Sequence, residues 1–120
     1  MAGFVNNIEQ LTQQNDFFRK VLYTTPKTQL VVMSLKPSED IGMETHPNTD
    51  QFIRIEKGKG VVELNGEKSK LEDGVAVVIP AGTKHNITNM SRSQPMKLYT
   101  IYTPPEHKPG TQQIDKPKHE

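Results

Sequence analysis

The run GVAVVIPAGTKHNITN, residues 74–89, constrains this chain more than any other. Gly74, Pro80, Gly82, His85 and Asn89 punctuate it at fixed intervals. It reads as an apolar strand, a tight turn through Pro80-Ala81-Gly82, and a second strand entered at His85. Upstream lies GMETHPNTDQFIRIEKGKG, residues 42–60, in which Glu44, His46 and Gln51 precede a glycine turn at Gly58. The two runs together aim four donor side chains at one point inside a small β unit, which makes a metal site the first hypothesis.

The rest of the chain carries the same all-β signature. Residues 17–25, 28–36, 51–57, 60–66, 75–80, 84–90 and 97–103 are rich in β-branched and aromatic side chains. Breakers such as Lys36-Pro37-Ser38, Gly58-Lys59-Gly60 and Asp73-Gly74 separate them. Asn65-Gly66, between VVEL and EKSKL, is a type I′ hairpin signal. Many short strands at regular spacing predict a sandwich or barrel. The organisation expected is an N-terminal arm over 1–16, a domain over 17–103, and a polar C-terminal tail over 104–120. In the arm, Ile8 and Leu11 share one face of a single helical turn, either frayed or packed. The tail is rich in proline and charge with almost nothing to bury, so it runs over the surface or stays disordered.

Composition narrows the chemistry. At 120 residues the chain has room for one core. It has no cysteine, which removes disulfides and thiolate ligands and leaves His, carboxylate and amide donors. Fifteen Lys and Arg against fourteen Asp and Glu, a net charge of +1, give no global reason to bind nucleic acid or an anionic membrane. The expected partner is a small molecule. No apolar run approaches the roughly 18 residues of a membrane span, and the first residues lack the basic-then-apolar order of a signal peptide, so a cytoplasmic location is expected.

On its two motifs the sequence resembles a small single-domain cupin of the type-2 superfamily, whose pattern is G-x5-H-x-H-x3,4-E-x6-G followed by G-x5-P-x-G-x2-H-x3-N. The second motif matches at every fixed position from Gly74 to Asn89. The first departs from it. Either His46 is the first histidine with Asn48 in place of the second, or Glu44 replaces the first with His46 as the second; the spacing from His46 through Gln51 to Gly58 favours the latter. The leading glycine falls at Ser38. The resemblance implies a cupin jelly-roll β-barrel, a double-stranded β-helix, with Glu44, His46, Gln51 and His85 holding one divalent transition metal, whether Fe, Mn, Zn, Ni or Co. It also implies a homodimer, for which the apolar strand at 17–25 offers an edge.

Elementary chemistry agrees with that ligand set. Glu44 and His46 are two apart and share a strand face. Gln51 has the wrong parity for that face unless Pro47-Asn48-Thr49-Asp50 forms a turn that resets the alternation. Two histidines and a carboxylate meet the donor requirement of a facial triad, and one carboxylate leaves a bound dication with a surplus charge for an anionic oxygen. Asn89 reads as a brace for a turn. His107 and His119 read as bystanders unless the tail folds over the mouth and brings His107 close. Of Tyr99 and Tyr102, on opposite faces, Tyr102 is assigned to the interior as a catalytic acid or hydrogen-bond donor. The lining is mainly Ile, Val, Leu, Met and Phe, which argues against a phosphorylated sugar.

Three function classes follow. The first is a metal-dependent isomerase, epimerase or lyase acting on a small polar carbonyl or sugar-like compound; its donor order is similar to that of type I phosphomannose isomerases and of uronate-linearising cupins. The second is an Fe(II) dioxygenase. The third is a cupin that binds a small ligand without turnover.

Overall fold

The computed structural model describes residues 2–118; His119 lies outside them. The chain forms α1 (Ile8–Gln14), β1 (Arg19–Thr24), β2 (Gln29–Leu35), β3 (Asp50–Lys57), β4 (Gly60–Leu64), β5 (Glu67–Leu71), β6 (Ala76–Ile79), β7 (His85–Asn89), β8 (Met96–Thr103) and β9 (Gln112–Gln113). Two antiparallel sheets result, a six-stranded one in the order β6-β3-β8-β2-β1-β9 and a three-stranded one in the order β5-β4-β7. This is a jelly roll, built as two sheets that do not close into one continuous barrel ladder.

The core lies between the sheets. Ile53 and Ile55 of β3, Leu98 of β8, Val62 of β4 and Ile87 of β7 are buried, while Phe52 and Arg54 of β3 point to the other face and are half-exposed. β2 breaks that alternation: Val32 and Ser34 on its outer face are also buried. The arm explains it. Asn7 caps α1 by accepting a hydrogen bond from the Gln10 N–H at 2.9 Å. The residues after the helix then lie over the sheet, where Lys97 Nζ bonds Asn15 O, Asp16 Oδ1 and Ser34 Oγ. The single turn expected from Ile8 and Leu11 is thus a seven-residue packed helix, although Thr12 is its buried residue.

The Asn65-Gly66 turn has positive φ at both residues, 48° and 86°, as a type I′ hairpin requires. EKSKL is its second arm, β5. Only Leu71 of β5 is buried, so the strand lacks an alternating pattern of its own. The tail follows a defined path, with β9 pairing to β1 at the edge of the large sheet and Lys116 reaching Asp40. It therefore covers the edge of β1 that was expected to face a second copy. No helix among the described residues is long and apolar enough to cross a membrane.

Candidate metal centre

The turn at Pro80–Thr83 sets the site. Thr83 N–H donates to Pro80 O at 3.1 Å, and Gly82 sits at φ +84°, the position where this turn needs a residue without a Cβ. β7 begins two residues later at His85. The segment preceding β3 runs antiparallel beside it: Ile41 N–H donates to Ile87 O at 2.9 Å, and Glu44 and His85 exchange both backbone hydrogen bonds at 2.9 Å. Gly82 N–H donates to His46 O at 2.8 Å. Directly opposed residues project from the same face, so this ladder brings Glu44 to His85, with His46 one pleat further.

The donor atoms of Glu44, His46 and His85 all lie within 4.8 Å of one another. The two imidazole rings are 5.2 Å apart at 52°. Both are deeply buried, His85 being 4% exposed and His46 9%. His85 Nδ1 lies 2.8 Å from Thr83 O, an oxygen that only accepts, so Nδ1 carries the proton and Nε2 keeps its lone pair. Burial holds this imidazole below the usual histidine range; the Thr83 bond opposes the shift and His46 adds to it. His85 is thereby kept in the neutral form that ligates metal.

Pro47 and Asn48 form a turn, and the alternation of β3 restarts after it with Gln51 buried alongside Ile53 and Ile55. Gln51 Nε2 donates to Thr100 Oγ1 at 3.0 Å. Its Oε1 is buried without a hydrogen-bond partner, as is His46 Nε2. Buried acceptors without partners are uncommon and costly. Two of them on residues assigned as ligands, together with a neutral histidine and a carboxylate, fit a dication. Asn48 is exposed in the turn, so the ladder favours the register that uses Glu44. Tyr102 is buried, its ring edge-on to His46 at 5.9 Å and to His107 at 5.2 Å, while Tyr99 lies on the outer face against Phe52.

Motif reasoning missed one residue at the donors. Glu106, in the tail, places Oε1 3.0 Å from His46 Nδ1. Lys116 and Lys118 come from the same tail, and with Glu44, His46 and Glu106 they line a cleft of about 590 Å³ that opens beside the site. A lining of apolar residues was expected; the cations arrive from a segment whose sequence shows no periodicity. Lys116 pairs with Asp40 at 2.8 Å, and its hydrogen bond, ahead of the one from Asn86, holds the Asp40 carboxyl below the usual range.

The family model for the cupin domain matches residues 31–102. Protein L612 of Acanthamoeba polyphaga mimivirus is 47% identical over 119 residues, covering 96% of this chain and 74% of its own length. YrkC of Bacillus subtilis is 48% identical over 114 residues, covering 90% of this chain but only 61% of YrkC. The crystal structure of BH2720 from Bacillus halodurans superposes with a TM-score of 0.92 at 43% identity, over 94% of this chain and 89% of that one.

Proposed function

Because this chain belongs to the cupin domain family, we propose that it is a metal-dependent enzyme acting on a small polar carbonyl or sugar-like compound by proton transfer, as an isomerase, epimerase or lyase. The observation that carries the reading is the convergence of Glu44, His46 and His85 donors within 4.8 Å of one another. Gln51 Oε1 and His46 Nε2 are both left without partners in a buried setting. Glu44, His46, Gln51 and His85 would hold one divalent ion, Fe, Mn, Zn, Ni or Co. Such an ion supplies Lewis acidity, polarising a substrate carbonyl or hydroxyl and acidifying the neighbouring C–H.

The chain's own groups do the rest. The cleft admits a molecule of modest size directly to Glu44 and His46, and its rim of Glu106, Lys116 and Lys118 is polar. Tyr102 braces the His46 ring from one side and excludes water there. The amide of Gln51, neutral and tied at Nε2 to Thr100, is the donor most readily displaced by a substrate oxygen.

Elemental analysis and titration should find about one ion per chain, lost in His46→Ala and His85→Ala because each removes a donor. The Mn, Ni, Zn and Fe(II) forms are then incubated with keto and uronic sugars in deuterated water. Solvent deuterium incorporation without oxygen uptake supports the reading. Oxygen uptake confined to the iron form moves the assignment to a dioxygenase, and metal binding with neither signal assigns a ligand-binding cupin.

A further inference from the structure

The region matched by the family model ends at residue 102, and the carboxylate that touches His46 comes after it. A clamp delivers it. Gln29, the first residue of β2, is fully buried. Its Oε1 accepts from the backbone N–H of Glu106 at 3.2 Å and of His107 at 3.0 Å, and its Nε2 donates to His107 O at 2.7 Å and Thr24 Oγ1 at 3.0 Å. One side-chain amide thus stands in for a strand partner of residues 106–107. Beyond the clamp the tail is held again, where Val21 N–H donates to Thr111 O at 2.9 Å and Phe18 N–H to Ile114 O at 3.0 Å. Between the end of β8 and these anchors, Glu106 is directed at His46 and the His107 ring lies edge-on to Tyr102.

A neutral imidazole has one N–H and one lone pair, and the partner of one nitrogen decides the role of the other. Glu106 accepts from His46 Nδ1, which places the lone pair on Nε2, the atom left without a protein partner. We infer that Glu106 is a positioning residue: it fixes the tautomer and ring orientation of His46 for metal binding, and Gln29 holds the tail so that it does. The inference rests on the metal site proposed above. Carboxylates that accept the second N–H of a ligating histidine typically change metal affinity by about 10–100-fold when removed.

The test uses the full chain with Zn²⁺ alone, titrated against a competing chelator, together with ¹⁵N NMR of the imidazoles in the metal-free protein. Glu106 is partly exposed, so its replacement leaves the core intact. Glu106→Ala should weaken Zn²⁺ binding about 10–100-fold and shift His46 from the Nδ1–H form toward a tautomer mixture. Glu106→Gln should restore most of both, since an amide oxygen also accepts from Nδ1–H. Gln29→Met, which touches no donor atom, should weaken binding in the same direction; if it does not while Glu106→Ala does, Glu106 stands and the clamp falls. Equal Zn²⁺ affinity in wild type and Glu106→Ala, with the His46 tautomer unchanged, overturns the inference and leaves the metal site standing. No Zn²⁺ binding by the wild type removes the metal site instead, and the tautomer shift on its own still decides whether Glu106 orients His46.

Discussion

Replacing Gln51 with leucine distinguishes a metal ligand from a structural amide. Gln51 is 4% exposed, its Nε2 bonded to Thr100 and its Oε1 without a partner. Relieving the buried orphan acceptor gains about 1–3 kcal/mol, while Thr100 Oγ1, fully buried, loses its Gln51 partner at a similar cost of about 1–3 kcal/mol. Metal-free Gln51→Leu should therefore lie within about 2 kcal/mol of wild type. At about 2.1 cal/mol/K of unfolding entropy per residue, 120 residues turn each kcal/mol into a Tm shift of about 4 °C. Metal adds a difference of its own. At a free metal concentration of about 100 times Kd the wild type gains about 2.7 kcal/mol, or roughly 11 °C. A variant that binds tenfold more weakly forfeits about 1.4 kcal/mol of that gain, or 5–6 °C. Differential scanning fluorimetry of both proteins, chelated and with a metal series, reads all four values. A chelated variant more than about 2 kcal/mol less stable than wild type, with an undiminished metal shift, would show that Gln51 serves the fold and refute the ligand argument.

Asn89 is fully buried, donates from Nδ2 to Leu35 O, Lys36 O and Gln94 O, and accepts from Ser91 N–H. Asn89→Ala should cost about 3–5 kcal/mol in urea unfolding, and a loss below about 1 kcal/mol would contradict the brace. His107 is pushed from the usual 6.5 down to about 4, by burial first and then by Arg19 and His46. Between those values the unfolded chain holds a proton that the folded chain does not, so stability is complete above about 6.5 and falls as the pH drops toward 4. His107→Gln should flatten that segment of the stability curve relative to wild type, and parallel curves would show that His107 contributes no such dependence. The homodimer expected from the sequence cannot pair through the edge of β1 that β9 occupies. The outer row Val78, Phe52, Ile101 and Leu30, aligned across β6, β3, β8 and β2, is the face we propose for it. Light scattering should give twice the 13.5 kDa chain mass, reverting to one in Val78→Lys/Ile101→Lys; a wild-type monomer at micromolar concentration rejects the dimer.

What the sequence revealed about the site is what local backbone geometry determines. Gly82 marks a turn because its φ of +84° suits a residue without a Cβ, and Pro80 and Thr83 close it, so His85 enters β7 at a legible place. The inward orientation of Gln51 was legible by the same logic, since the Pro47-Asn48 turn resets the side-chain alternation. β5 is clear only as the far arm of an Asn-Gly hairpin, because four of its five residues are exposed and carry no inward pattern. β9 is two residues of a polar tail and carries no strand signal. The double burial of β2 depends on where the N-terminal arm comes to rest, which periodicity within β2 cannot encode.

Glu106 and Gln29 were illegible for a sharper reason. Gln29 reads as an ordinary polar residue entering a strand, and its burial makes sense only once the tail's backbone supplies partners for both ends of its amide. Glu106 sits in a stretch of prolines and charges that would suit a disordered end, yet three hydrogen bonds from one side chain to residues 106–107 hold it at His46. The two cupin motifs therefore bring Glu44, His46 and His85 together, and in the proposed site a non-local contact decides which nitrogen of His46 is available. If Glu106 orients His46 as inferred above, chains with identical motifs and different tails should share the fold and differ in Zn²⁺ affinity by titration, because the fold depends on the sheets and the affinity in part on a carboxylate that neither motif contains.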